Sequence, residues 1–505
     1  MNDLQNILEI VDEHYTKGNS APEITNFINS FPTNINSLEI CKNILGLTDA
    51  KMSCKLFASD SFKNIISRFI NYLTFSQASG IVEWITYFLT SDNLNLADAI
   101  YSDLSAAASQ IFVRFFESQH DDVNRMIGNF TKLFGSNPLM LIRGIQIHSE
   151  IISTFGSLNE KKDMATFKNF QESTLYGFLM TAKQILSRLQ NEQDEIYTFP
   201  PELRKQIISL SCLNLSKTIA FKMEKDLYSQ NNDEKFKAEI SDENFLIFIF
   251  QVFEKFSEPE ALKVISSYFQ LQPASFIKPQ FFYSIFNNIC MGLINIIQNQ
   301  IGFSESSTIY QLSQILSYFS IRINLMMIKY LPSLALLIES TAQFSIVIFQ
   351  NISNEPNTIN NIVTFWSKLE ELLRQVSNDP NNNSPTALLW IPIKQQVMSK
   401  AFDIYSSYIE LLLKEVMQPG NEEIDFNFLS NKISPFISLI QSFVNLNQLP
   451  IYQHLMSIYH SKKEEFLQLL ANNNQISEDV SKQIALFIQI FIKFIDSTKN
   501  LTDPI

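Results

Sequence analysis

Glycine is scarce in this chain, with 11 in 505 residues. So little glycine leaves hardly any material for phosphate-cradling loops or tight catalytic turns, which rely on backbone that no Cβ crowds. Accordingly, no GxxxxGK[ST], GxGxxG or GxSxG pattern occurs, and neither a phosphate cradle nor a nucleophile elbow is spelled out. Cysteine is also rare. Cys41, Cys54, Cys212 and Cys290 lie far apart in apolar surroundings with no CxxC pair. That pattern points to reduced core thiols in a reducing compartment, not to a disulfide framework or a zinc site. The five histidines, His14, His120, His148, His454 and His460, form no HExxH. The last two are spaced to fall on different sides of a helix, which suits no shared metal. No catalytic, cofactor-binding or metal-ligating residue is therefore nominated, and an enzyme is not expected.

Clusters of positive charge are missing as well. The 38 Lys and Arg are outnumbered by 51 Asp and Glu, giving a net charge of -13. A phosphate backbone is repelled by such a surface on average, so nucleic acid is not an expected ligand, while basic protein partners are favoured. Long apolar runs are absent too. Residues 245–250 (FLIFIF) form the longest, and the stretch 331–349 is broken by Pro332, Glu339 and Gln343. A bilayer needs about 18 such residues in a row, so a soluble chain with no membrane insertion is expected. The opening MNDLQNILEIVDEHY lacks the apolar core of a signal peptide. In that light the Asn-x-Ser/Thr triplets at Asn129, Asn214, Asn351, Asn382 and Asn500 read as accidents of an Asn-rich composition.

Apolar stripes at helical spacing fill the rest. Hydrophobic residues make up 46% of the chain, 43 of them Phe. Phe62, Ile65, Ile66, Phe69, Ile70 and Leu73 step along one helix face, and Ile484, Phe487, Ile488, Phe491, Ile492 and Ile495 repeat that register near the other end. Helix breakers fall about every 20 residues, at Pro32, Pro138, Pro200-Pro201, Pro273 to Pro279, Pro332, Pro356, Pro380 to Pro385, Pro419-Gly420 and Pro450. Ser20-Ala-Pro-Glu23 and Ser257-Glu-Pro-Glu260 read as capping boxes with the serine as N-cap. Asp121-Asp122 and Glu422-Glu423 sit where helices begin, and a helix N-terminus favours negative charge. Segments 191–198, 226–240 and 377–386 read as polar connectors, and Trp366 as a wedge between repeats.

Helices of this length taken in pairs give a repeat of roughly 40 residues, the size of HEAT or armadillo units. The expected fold is all-α: a HEAT/armadillo-like α-solenoid superhelix of antiparallel helix pairs, whose product is a binding surface.

Residues 99–117, 137–155, 167–175, 279–349 and 361–373 follow one another in a familiar order. In that order they resemble the importin-β superfamily of nuclear transport receptors, most closely exportins of the exportin-7 (Ran-binding protein 16) type. Residues 99–117 (AIYSDLSAAASQIFVRFFE) resemble the long helix that closes that family's N-terminal module. After Asp121-Asp122 comes 137–155 (NPLMLIRGIQIHSEIISTF), and then 167–175 (FKNFQESTL), similar to the family's basic-Phe start of the next long helix. Residues 279–349 resemble its mid-array pairs, and 361–373 (NIVTFWSKLEELL) its Trp-bearing helix.

The resemblance implies an N-terminal HEAT module over 1–118 and a continuing HEAT-like array over 119–505. It implies a receptor that binds Ran-GTP and protein cargo cooperatively, contacts nucleoporin repeats, and shuttles between nucleus and cytoplasm. No Ran- or cargo-binding residue carries over position by position. Family members run about twice this length, and Leu486, Ile490 and Phe494 add a second apolar stripe to the last helix, so the array is expected to continue or to be covered there. The alternative from another class is a HEAT scaffold for a multi-protein assembly, indifferent to the nucleotide that Ran holds.

Overall fold

The computed structural model describes residues 2–17, 21–91, 96–130, 137–158, 163–221, 234–351, 356–377 and 385–416 continuously, with scattered positions between 434 and 492. Among the described residues there are helices and turns and no strand. The protein is all-α, as its stripes predict.

Two compact units divide the chain. The first comprises Met1–Ile240 with Gln270–Ile277, and the second Ser241–Phe269 with Lys278–Ile505. The first contains α1 (Asn2–Lys17), α2 (Pro22–Ser30), α3 (Ser37–Gly46), α4 (Met52–Phe69), α5 (Phe75–Thr90) and α6 (Asp98–Phe116). It continues with α7 (His120–Asn129), α8 (Pro138–Gly156), α9 (Met164–Ser173), α10 (Leu175–Gln190) and α11 (Pro201–Ile219), and α12 (Glu234–Ser241) reaches the boundary. The second holds α13 (Glu243–Phe256), α14 (Pro259–Tyr268), α15 (Pro279–Gln298), α16 (Ser306–Arg322), α17 (Leu334–Asn351), α18 (Pro356–Ser377) and α19 (Pro385–Val416).

Within the second unit each helix packs on the helix two places away. One row runs α13, α15, α17, α19 and the other α14, α16, α18. Polar contacts give the register. Glu243 accepts from Ser284, and Glu254 Oε1 accepts from Asn295 Nδ2 at 2.5 Å, both 41 residues apart. Ser333 with Met291 and Gln298 with Ser340 are each 42 apart. Two contacts at one offset require α13 and α15 to run in the same direction, and likewise α15 and α17. The helix between them therefore runs back, which makes each consecutive pair antiparallel. At Gly292 of α15 a Cβ would meet the tip of the Phe250 ring of α13 at 2.3 Å, so any larger residue there requires that ring to shift.

In the first unit one row, α4, α6, α8, α11, forms the spine, and α3, α5, α7 and α10 lie against it. Offsets here vary. Asp103 takes hydrogen bonds from Ser59 and Lys63, 44 and 40 residues away, whereas Ser149 and Ser153 on α8 meet Lys217 on α11 across 68 and 64. The extra length accommodates α9 as an added short helix.

Caps follow local chemistry. Thr74 and Gln77 form a reciprocal capping box at α5, and Asn137 Oδ1 accepts from the amides of Leu139 and Met140 ahead of Pro138. The serine capping box expected at α14 does not form. Ser257 lies in the left-handed region (φ 54), closing α13 with its amide on Phe253 O at 2.7 Å, and so cannot also be the extended N-cap of α14. Glu258 takes that position, and Ala21 takes it at α2, while Ser20 lies outside the described residues.

Other boundaries also shift. The α4 stripe buries Phe62, Ile65 and Ile66, but the helix ends at Phe69, and a 3-10 turn over Ile70–Tyr72 leaves the last three stripe residues half-buried. Segment 167–175 does not open the next long helix. Its residues 167–173 belong to α9, which ends at Ser173, and only its last residue, Leu175, falls in α10. The end of the supposed connector 226–240 is α12, which buries Phe236 and Ile240. Pro392, not among the breakers read from the sequence, sits inside the 32-residue α19.

Trp366 behaves as expected. It is buried between α17 and α18 with its indole N–H donating to Ser345 Oγ at 3.1 Å. Asp121 and Asp122 do occupy the first turn of α7. The four cysteines are all buried free thiols, and burial pushes Cys41 up to about 12. Glu422-Glu423, His454, Leu486, Ile490 and Phe494 lie outside the described residues. Of the C-terminal stripe, Ile488 and Ile492 are described and are 48% and 53% exposed, not buried as the spacing predicts. Helix α15, without a single charge, is long and apolar enough to cross a membrane by length and composition, yet half of it is buried in the second unit.

Candidate functional site

A groove of about 940 Å³ lies in the first unit. Its walls come from four helices and the turns that end them. Helix α4 gives Ser67, followed by Ile70. Helix α6 gives Ala106, Gln110, Val113 and Arg114, followed by Glu117 and Ser118. Helix α8 gives Glu150 and Thr154, followed by Ser157, and the start of α9 gives Asp163 and Thr166.

The row of parallel helices explains why such a groove exists. Inward-facing residues such as Phe112, Phe116 and Phe155 make the core, and the opposite edge of each helix turns its polar residues into the space beside it. The aromatic core below is dense. Phe155 stacks on Phe170 with centroids 3.9 Å apart, and Phe116 meets both edge-on.

The lining has an excess of acceptors. Three carboxylates, Glu117, Glu150 and Asp163, face one guanidinium, Arg114. Gln110 Oε1 is enclosed without a hydrogen-bond donor. Thr166, only 6% exposed, also lines the groove. Beside the groove, Lys217 reaches from α11 to donate to Ser149 Oγ at 2.7 Å and Ser153 Oγ at 2.8 Å. Its burial lowers the lysine pKa, and the charge of Glu150 offsets part of that.

Buried charge elsewhere in this unit is structural. Arg143 of α8 donates to Leu89 O at 3.1 Å and to Tyr101 Oη at 2.6 Å, and its guanidinium lies 4.4 Å from the Tyr101 ring centroid. One cation thus ties α5, α6 and α8 together. His148 is buried against Phe178, and burial lowers its pKa to about 3, so it is neutral at ordinary pH.

A second surface lies on the second unit. Tyr283 of α15 stacks on Tyr330 with centroids 4.5 Å apart, and Ser333 donates to Met291 Sδ at 2.9 Å. Tyr330 and Met291 are nonetheless about half exposed, at 52% and 50%, with Met326 and Leu336 also exposed. Around them α15 offers Asn287, Asn288 and Asn295 and no charge.

Among the described residues no three His, Cys, Asp or Glu side chains are placed to hold a metal. The sequence nominated neither surface. Groove residues come from positions 67 to 166, too far apart for a local motif, and the acceptor excess is visible only once the helices are stacked.

No protein-family model matches the chain. Its sequence is 21% identical to Exportin-7 of Dictyostelium discoideum over 271 residues, which cover 52% of this chain and 27% of that protein. Among solved structures, Kap121p matches with a TM-score of 0.39 and 10% identity over 99% of this chain and 54% of that one. Kap121p bound to Ste12p gives 0.37 and 9%, covering 55% of that chain, and yeast importin-β (Kap95p) gives 0.29 and 10%, covering 74%. The aligned region thus spans about a quarter of Exportin-7, and the chain about half the length of Kap121p.

Proposed function

We propose that this chain is a nuclear transport receptor of the exportin kind, binding Ran-GTP and protein cargo and shuttling between nucleus and cytoplasm. The observation that carries this reading is the likeness to Exportin-7, extending over half the chain on an array of paired helices. In this reading residues 1–118 form the N-terminal module and 119–505 the continuing array. The surface around Tyr283, Met291 and Tyr330, to which α15 contributes no charge, is then the one offered to nucleoporin repeats, whose contact favours exposed aromatic and thioether groups.

Mechanistically, a receptor of this kind needs cargo and Ran-GTP each to raise the other's affinity by the same factor. Stacked pairs that touch only near neighbours suit such coupling, because small changes at each helix contact add along the row. The test is a titration of purified 1–505 against Ran loaded with GTP or GDP, by calorimetry. Binding at least tenfold tighter to the GTP form is expected. Equal binding to the two forms, or none by a folded sample, would replace the receptor with a nucleotide-indifferent HEAT scaffold.

A further inference from the structure

We propose that Lys217, held between two serine hydroxyls on α8, is a site of acylation by thioesters, with its Nζ as the nucleophile. The inference rests on this cluster alone and holds whether the chain serves transport or scaffolding.

Lys217 is half-buried on α11, and its Nζ meets Ser149 Oγ at 2.7 Å and Ser153 Oγ at 2.8 Å. Among the described residues it makes no ion pair. Other lysines of this unit are placed differently. Lys63, also half-buried, is held by Asp103 at 2.5 Å and Asp60 at 3.1 Å, and the exposed Lys51 by Asp12 at 2.5 Å. Carboxylates so close favour the ammonium, whose nitrogen has no lone pair to give. Hydroxyls serve either form, because they accept from an ammonium and exchange hydrogen bonds with a neutral amine. Ser153 Oγ donates to Ser149 O at 2.9 Å, which leaves Ser149 as the hydroxyl able to donate to the amine lone pair. Burial then tips the balance towards the neutral form, lowering the pKa of Lys217 against a partial offset from Glu150.

The same two hydroxyls suit the product. An amide at Nζ keeps one N–H for a serine oxygen and adds a carbonyl oxygen that can accept from Ser149. It also removes a half-buried charge that no described carboxylate contacts. An aldehyde would serve less well, because the imine it forms can take up a proton and bring the charge back. In the transfer, the amine lone pair attacks the thioester carbonyl carbon, the C–N bond forms, the C–S bond breaks, and sulfur leaves with the electron pair. The proton shed by nitrogen ends on the departing thiolate. Amine and thioester thus give amide and thiol, with nothing oxidised or reduced.

The experiment incubates the full 505-residue chain with acetyl-coenzyme A at neutral pH and follows acetyl occupancy at each lysine by peptide mass spectrometry. Initial acetylation of Lys217 is expected to run about tenfold faster than that of Lys63 or Lys51, since one unit of pKa is a tenfold change in neutral amine. The advantage should vanish in denaturant. Glu150→Gln is expected to raise the Lys217 rate about threefold, and Ser153→Asp, which sets a carboxylate beside Nζ, to lower it about tenfold. Melting curves establish that each variant is folded, and Glu150→Gln carries the test alone if Ser153→Asp does not fold. Acetylation of Lys217 no faster than that of Lys63 would overturn the assignment. So would an advantage that persists in denaturant, or an unaltered rate in folded Glu150→Gln.

Discussion

The two units solve one packing problem with different chemistry. In the second, register is held by neutral or singly charged contacts, Asn295 on Glu254 and Gln298 on Ser340 at steps of 41 and 42 residues and Asn361 on Ser313 at 48, and the helices α15 and α17 carry one charge between them, Glu339. In the first, register is held by charge: Lys63 on Asp103, Lys183 on Glu239, Lys51 on Asp12, and Arg143 clamped on Leu89 and Tyr101. For Lys63, burial works against the charged form, but the hydrogen bonds it donates to Asp103 and Asp60, with their charges, outweigh it and its pKa is raised. Regular stacking thus needs little electrostatic specification, whereas a spine with uneven offsets uses directional, charge-assisted contacts to hold each helix at its place.

That contrast can be broken most severely at the buried aromatic of the regular unit. Trp366→Ala is expected to cost about 3–5 kcal/mol, the range for removing a fully buried large aromatic. Hydrogen exchange resolved by peptide should show the loss in α16, α17 and α18. Arg143→Met attacks the charged unit instead. It removes two hydrogen bonds from a buried cation, each worth about 1.5–3 kcal/mol, so a loss of about 3 kcal/mol is expected, read as faster exchange in α5, α6 and α8.

Acid sharpens the comparison further. The folded pKa of His148 lies at about 3, below its ordinary 6.5, so the unfolded chain takes up the proton first. Its contribution is complete above pH 6.5 and is lost as pH falls towards 3, amounting to about 2 kcal/mol by pH 5 at about 1.4 kcal/mol per unit. Chemical denaturation at pH 7 and pH 5 should show this fall in the first unit, reduced in His148→Leu; an unchanged pH response in that variant would refute the attribution. The smallest effect is of opposite sign. Lys217 is partly buried with hydroxyl partners, and burial lowers its pKa, so its charge opposes folding at neutral pH. Lys217→Met should leave stability unchanged or slightly raised, as a melting curve would record.

Much of the fold was legible because helix stripes and prolines report local facts. Pro138, Pro201, Pro279, Pro356 and Pro385 each open a helix, where a missing amide hydrogen is harmless. Segments 99–117 and 361–373 lie on α6 and α18 as the resemblance implies. What escaped was decided by tertiary context. Ser257 has the composition of an N-cap but lies in the left-handed turn that ends α13. Pro392 stays inside α19, where the neighbouring Trp390 is buried with its N–H on Leu325 O at 3.2 Å. Nothing in the spacing of Gln110, Glu150 and Thr166 announces a shared groove, since each takes its place from a different helix of the stack.

The constant offset between α13, α15 and α17 bears on how such a chain changes over time. Each of these helices recognises its counterpart two places along through contacts repeated every 41 or 42 residues. Duplicating or excising one whole pair therefore presents the remaining helices with a face of the kind they already meet. A single-residue insertion inside α15 has the contrary effect, turning everything beyond it by about 100 degrees and separating Asn295 from Glu254 while Ser284 keeps Glu243. Growth by pairs is tolerated where growth by residues is not, so descendants of such an array should differ in length by multiples of the repeat long before they differ in the length of any helix.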